Sequence, residues 1–250
     1  MESNNVTLIS ATAKWWREQR EHFGWWITVR MLAVILWEFV RDSTPERRRQ
    51  RFGDADYDWE YRVDTTSANV SWQNRLIGFL NSSYQPIESD LFQEMLNALG
   101  IDYTQFTFID IGSGKGRPLL MASKYPFRRI LGVELLPELN QIANENIRKF
   151  HDDRQRCQDL ESIQGDATEF AFPNDPLVIF LFNPLPEAGT KRVVENLARS
   201  ATEQTRVVWL VYANPVYERI VLSSGVFRKT AGNHQYSIYS NHATSSVYGT

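Results

Sequence analysis

Residues 106–134 read FTFIDIGSGKGRPLLMASKYPFRRILGVE, and the fold of the whole chain follows from how this stretch is read. It opens with a run rich in strand formers, Phe106 to Ile111. A loop follows with Gly112, Gly114 and Gly116 at alternate positions, then a predicted helix, Arg117 to Lys124. A second apolar run, Ile130 to Val133, is closed by Glu134. Strand, glycine loop, helix, strand and terminal acid make the first half of a nucleotide-binding βαβ unit. Residues without Cβ let such a loop turn sharply and bring its backbone against a ligand. Pro118 falls in the first turn of the helix, where a missing N–H is tolerated.

The dinucleotide fingerprint is GxGxxG with a pyrophosphate on the helix N-terminus. Here the spacing is GxGxG and Asp110 precedes it. A carboxylate at that strand end repels a pyrophosphate and suits a cationic amine. Glu134, at the end of the next strand, can accept hydrogen bonds from both hydroxyls of a ribose. An amine-seeking acid, a close-approach loop and a ribose-seeking acid describe S-adenosylmethionine better than NAD.

Working outward, the chain of 250 residues is long enough for one sizeable α/β domain with an appendage. It is 42% hydrophobic and 23% charged, the balance of a globular protein with a core. The net charge of −3 gives no global attraction to nucleic acid. A single cysteine, Cys157, excludes an intrachain disulfide and a cysteine cluster for zinc, and no metal site is expected. The expected compartment is reducing and cytoplasmic. The start, MESNNVTLIS, has no basic segment followed by an apolar run, so no signal peptide is predicted.

On the N-terminal side, Ala13 to Val40 reads as one or two helices, with Trp25 to Val40 apolar almost all round. Two roles compete for residues 15–41: packing on the main domain or a dimer partner, or peripheral contact with a membrane surface. A spanning helix needs about 20 apolar residues. The uninterrupted run Met31 to Trp37 is too short for one. The stretch Arg41 to Arg51, with Arg47, Arg48, Arg49 and Arg51, reads as a solvated helix end or linker rather than a contact for phosphates or anionic lipid, and Gly53 to Asp64 as a turn-rich link to the main domain. The predicted organisation is therefore a helical and aromatic extension over 1–82 and a main domain over 83–250.

On the C-terminal side, elements alternate. A helix is expected within Ser83 to Gly100, ended by Gly100, and another over Pro137 to Phe150. Leu160 to Ile163 is a third strand before Gly165-Asp166-Ala167. Leu177 to Phe182 is a continuous apolar run, as in a parallel strand covered on both faces, and ends at Asn183-Pro184-Leu185-Pro186. A helix over Lys191 to Ala201, a strand over Arg206 to Tyr212 and a short helix over Tyr217 to Leu222 follow. Phe227 to Lys229 and Tyr236 to Tyr239 form a closing hairpin that turns near Gly232-Asn233. The fold class is α/β: a Rossmann-like, doubly wound, mostly parallel seven-stranded sheet with an N-terminal helical extension. Ligands sit outside the carboxyl ends of such strands, where Asp110, Glu134, Asp166 and Asn183 all fall.

Over residues 84–239 the chain resembles the class I, seven-stranded S-adenosylmethionine-dependent methyltransferases. FIDIGSGKG is similar to that family's first motif, VELLPEL to the second, GDATEF to the third and FNPLP to the fourth. The resemblance implies S-adenosyl-L-methionine as cofactor. It places Asp110, Gly112 and Gly114 along the methionine moiety, with Ser113 and Gly116 nearby. Glu134 would hold the ribose hydroxyls and Leu135 would lie against the adenine. Asp166 would accept from the adenine amino group while the Ala167 N–H meets the ring. Tyr84, in a Tyr-x-Pro context, is similar to a segment that closes over the cofactor in some protein-lysine methyltransferases. Asn183 and Pro184 resemble the start of the Asp/Asn-Pro-Pro-Tyr/Phe motif of amino-directed enzymes, where the Asn side chain and a carbonyl orient the target amine. The aromatic of that motif is absent here, which favours a protein or small-molecule amine over a nucleobase as methyl acceptor.

Each residue also has a plainer reading. Asp110 can cap the following helix, Glu134 can be a solvated strand end and Asp166 a turn residue. Tyr84 can be a packed loop aromatic, and the prolines near Asn183 can simply shape a loop. Lys115, between two glycines, could meet the cofactor carboxylate but reads rather as an exposed loop lysine. His151, His234 and His242 fall in loops or near the terminus, so no general base stands out. The rival functions are a nicotinamide-dependent oxidoreductase on the same architecture and a non-catalytic module that docks through its tryptophan-rich helix.

Overall fold

The computed structural model describes residues 13, 16–17, 19–21, 23–42, 55–66, 87–182 and 185–242. Its strands are β1 (Thr107–Ile111), β2 (Arg129–Glu134), β3 (Leu160–Gln164), β4 (Leu177–Leu181), β5 (Val208–Ala213), β6 (Arg228–Gly232) and β7 (Tyr236–Ser240). Its helices are α1 (Trp25–Asp42), α2 (Ala55–Tyr61), α3 (Ser89–Asn97), α4 (Arg117–Ala122), α5 (Pro137–Lys149), α6 (Glu187–Glu203) and α7 (Glu218–Ser223). The strands form one seven-stranded sheet in the order β3-β2-β1-β4-β5-β7-β6. The first five pair in parallel, and β7 is antiparallel to both β5 and β6. The fold is the Rossmann-like, mostly parallel sheet expected from the sequence, with the closing hairpin in place.

The apolar runs explain the layers. β1, β4 and β5 are buried along their whole length, because helices cover both faces. Alternate side chains serve opposite cores. Phe108, Val178 and Phe180 join Phe92 and Met95 of α3 and Leu119 of α4 on one face. Ile109, Ile111, Ile179 and Leu181 join Val193, Val194 and Leu197 of α6 on the other. α6 begins four residues before the expected Lys191. The glycine that hides its start, Gly189, packs on Leu185: a Cβ there would lie 3.1 Å from the Leu185 Cβ.

A larger departure concerns Gly53 to Asp64. The described residues 55–66 are not a bare link. Tyr57 and Tyr61 of α2 enter the same core as α3 and α4. Their rings lie 4.7 Å apart, and Tyr61 meets Phe150 at 5.2 Å. Two aromatics four residues apart give too short a pattern to read as a buried helix. α1 is different. Trp26 is 82% exposed and Trp37 68% exposed. Among the described residues, no helix is long and apolar enough to cross a membrane.

One close contact was not evident from the sequence. Within β2, a Cβ on Gly132 would stand 2.5 Å from Ser113 Oγ and 2.8 Å from Leu119 Cδ1. The glycine loop and α4 therefore rest directly on the β2 backbone. Gly132→Ala should lower stability by about 1–3 kcal/mol, the usual effect of overpacking, seen as a lower urea midpoint with an unchanged slope.

Candidate functional site

The direction of sheet growth reverses between β1 and β4, and ligands of doubly wound folds lie at that crevice. The loop after β1 is folded back over the end of β2. Gly112 N and Ser113 N both donate to Val133 O, at 2.8 and 3.1 Å. Gly112, Gly114 and Gly116 have φ of 77°, 54° and 85°, values that side chains with a Cβ rarely adopt. Gly116 is constrained twice over, since it also caps α4 and its Cβ position lies 3.1 Å from Ala143 Cβ.

Glu134 is buried and spans two loops. Its Oε2 accepts from Gly114 N and its Oε1 from Leu136 N, each at 2.8 Å. Burial pushes its carboxyl above the usual range, and the N–H groups of Leu136, Gly114 and Leu135 pull it back. A carboxylate has about four acceptor sites, so capacity for a hydroxyl remains. It is not the solvated strand end of the plainer reading.

Asp110 is buried more completely. Its Oδ2 has no hydrogen-bond partner among the described residues. Burial first, and the charge of Glu134 second, hold its carboxyl well above the ordinary carboxylate range. A buried polar atom without a partner is rare in folded proteins and asks for an explanation, such as a missing ligand. Asp110 does not cap α4: that cap is Gly116, with no side-chain hydrogen bond.

The other expected residues vary. Ser113 is buried, with its hydroxyl 3.3 Å from Ser162 Oγ of β3, its N–H on Val133 O and its carbonyl accepting from Gly116 N. Asp166 Oδ1 accepts from Thr168 N at 2.9 Å and Thr168 Oγ1 at 2.7 Å, capping the 3-10 turn Ala167–Glu169. Ala167 is buried in the α6-side core. Leu135 is half-buried, and its N–H helps to pull the Glu134 carboxyl back down. Tyr84, Asn183 and Pro184 lie outside the described residues. His151, His234 and His242 are exposed.

Lys115 corrects the sequence reading. It is not an exposed loop lysine: its side chain is 0% exposed and its Nζ lies 2.6 Å from Asp64 Oδ1. Arg117 is equally buried. Its Nε donates to Thr65 Oγ1 at 2.7 Å, its Nη2 lies 3.3 Å from Asp58 Oδ1, and its guanidinium sits 4.6 Å from the Tyr57 ring centroid. Burial lowers its pKa to about 10. Asn146, on the inward face of α5, accepts from Asp64 N and donates to Asp64 O and Lys115 O. A polar residue between Ala143 and Phe150 on an apolar face was the one sequence signal of this network.

No protein-family model matches the chain, and no curated protein matches it. Solved structures do resemble it. One is an RNA methyltransferase from Salinibacter ruber in complex with S-adenosyl-L-homocysteine, at 22% identity over 62% of this chain and 91% of that one, with a TM-score of 0.42. Another is the magnesium protoporphyrin IX methyltransferase of Synechocystis PCC 6803 with bound SAM, at 14% identity over 77% and 93%, with a TM-score of 0.45. These are distant similarities. The sheet itself places the chain among Rossmann-like α/β proteins, with two buried carboxylates at the crevice.

Proposed function

We propose that this chain is an S-adenosylmethionine-dependent methyltransferase that acts on nitrogen, in a protein lysine or another amine. The observation that carries the reading is Asp110: a buried carboxylate at the crevice with one oxygen that has no hydrogen-bond partner among the described residues. A ligand ammonium would supply the missing partner and make a charge-assisted hydrogen bond there. Glu134, already fixed by backbone N–H groups, keeps capacity for a ribose hydroxyl. Gly112 and Gly114 carry no Cβ to keep a ligand from the loop backbone. When bound, the cofactor supplies a methyl group already activated on a sulfonium.

The residues then have simple tasks. Asp110 and Glu134 orient the ligand, and the loop and strand ends keep water away from it. Alignment of the acceptor in a closed site accounts for most of the rate in such transfers. The nitrogen preference rests on Asn183-Pro184-Leu185-Pro186 directly after β4. There the Asn183 amide oxygen would accept from the amine and aim its lone pair. A nicotinamide dinucleotide fits less well, because its pyrophosphate would face two buried acids.

Calorimetry with S-adenosylhomocysteine tests the cofactor. Binding by the wild type and loss in Asp110→Ala are expected, and no binding by the wild type would sink the proposal. Incubation with methyl-tritiated cofactor in a cell extract tests the acceptor. Label is expected on protein or small amines, and label confined to RNA would remove the amine assignment.

A further inference from the structure

We infer that residues 55–66 are a working part of the ligand site, in which Asp64 positions the glycine loop through Lys115 and Asn146. The inference rests on the cofactor reading above. Residues 114–116 are held from two sides. At the front, Gly114 N is fixed on Glu134. At the rear, the Lys115 ammonium is fixed on Asp64 at 2.6 Å, and Lys115 O accepts from Asn146 Nδ2 at 3.0 Å. The same amide reads both backbone groups of Asp64: Oδ1 accepts from its N–H at 2.9 Å, and Nδ2 donates to its carbonyl at 2.8 Å. One side chain of α5 thus ties the segment to the loop.

The direction of Lys115 is the telling feature. A lysine inside a loop that closes on a ligand has two outlets, the ligand or the solvent. This one takes neither and runs back into the protein toward a residue 51 positions earlier. The glycines on both sides have the left-handed φ that the loop needs, 54° and 85°, but no side chains to hold it. Without the rear tether a buried ammonium would lose its counter-charge and turn out to water. Its backbone would move with it, and Gly114 N–H would leave Glu134. Asp64 and Lys115 are therefore positioning residues, with no contact of their own to the ligand.

A purely structural ion pair would affect melting and leave ligand affinity alone at low temperature, which separates the two roles. Asp64→Asn and Lys115→Met, each measured by calorimetry at 15 °C in the full chain, are expected to weaken S-adenosylhomocysteine binding about tenfold or more, the worth of one hydrogen bond to a charged group. The double variant is expected to be no weaker than either single one, because both changes cut the same tether. Lys115→Arg, which keeps the charge, should recover most of the affinity. Amide hydrogen exchange in the ligand-free protein gives an independent reading: Gly114 and Lys115 should exchange faster in Asp64→Asn. Wild-type affinity in both single variants, or additive losses in the double one, would overturn the inference. So would unchanged exchange at Gly114 and Lys115, even if the wild type bound no S-adenosylhomocysteine and the cofactor reading itself fell.

Discussion

Replacing Asp110 with asparagine should make the ligand-free protein more stable at neutral pH and weaken its hold on S-adenosylhomocysteine by about tenfold to a hundredfold. The second figure is the worth of a hydrogen bond between charged groups, about 1.5–3 kcal/mol. The first follows from linkage. Burial, helped by the Glu134 charge, raises the Asp110 carboxyl well above the ordinary carboxylate range. For an acid raised in the folded state, the stability contributed by the protonated form is fully present below the unfolded pKa. It is lost as pH rises through the folded pKa. Above that point the ligand-free protein holds an ion that burial disfavours, and asparagine removes the penalty. Urea midpoints should thus be similar for the two proteins near pH 4 and separate in favour of the variant as pH rises. Ligand affinity should show the reverse. An ammonium beside Asp110 favours the ionised carboxylate, so wild-type binding strengthens with pH over the same window and releases a proton. Binding by Asp110→Asn should stay flat over that window. Equal affinity for the two proteins would refute the electrostatic reading of the site, and a variant less stable than the wild type at neutral pH would refute the burial argument.

The same tension explains why part of the site could be read from the sequence. β1 and β4 were visible because strands covered on both faces are continuous apolar runs. The loop was visible because its three backbone turns demand glycine, and Asp110 and Glu134 because each ends a strand beside it. What stayed hidden was the rear of the loop. Lys115 and Arg117 carry charges, and charged side chains are usually exposed. Their burial depends on Asp64 and Asp58, which lie 51 and 59 positions away in the chain. No local period links such pairs. The Asp/Tyr-rich composition of 54–61 resembles a turn until Tyr57 and Tyr61 are seen inside the core. Asp166 illustrates a different limit of sequence reading. The residue type that suits an adenine amine also suits a 3-10 cap, and its Oδ1 makes the cap.

Asp58→Ala should lower stability by about 3–5 kcal/mol, the range for removing one partner of a buried charge pair. Asp58 Oδ2 accepts from Thr65 N at 2.8 Å and from Thr66 N at 2.9 Å, and Oδ1 takes the Thr65 hydroxyl. Oδ1 also faces Arg117 Nη2 at 3.3 Å. Alanine would strand two N–H groups of buried residues and withdraw a counter-charge from a guanidinium that burial has already lowered to about 10. Asp58→Asn keeps one of the two acceptor oxygens and loses the charge and the acceptor on the other side, so its effect should be smaller than that of alanine. The double change Asp58→Ala with Arg117→Met is the decisive comparison. If the loss comes from an unbalanced ion, removing the ion should return part of it, since apolar replacements of buried pairs are often close to neutral. The double variant should then unfold at higher urea than Asp58→Ala alone. If it instead unfolds at lower urea, the arginine serves mainly by packing on Tyr57, and the charge balance is secondary. In either case residues 55–66 should become sensitive to protease in Asp58→Ala under conditions where the sheet stays folded, because the hydrogen bonds from Thr65 N, Thr65 Oγ1 and Thr66 N that close the turn end on this one carboxylate.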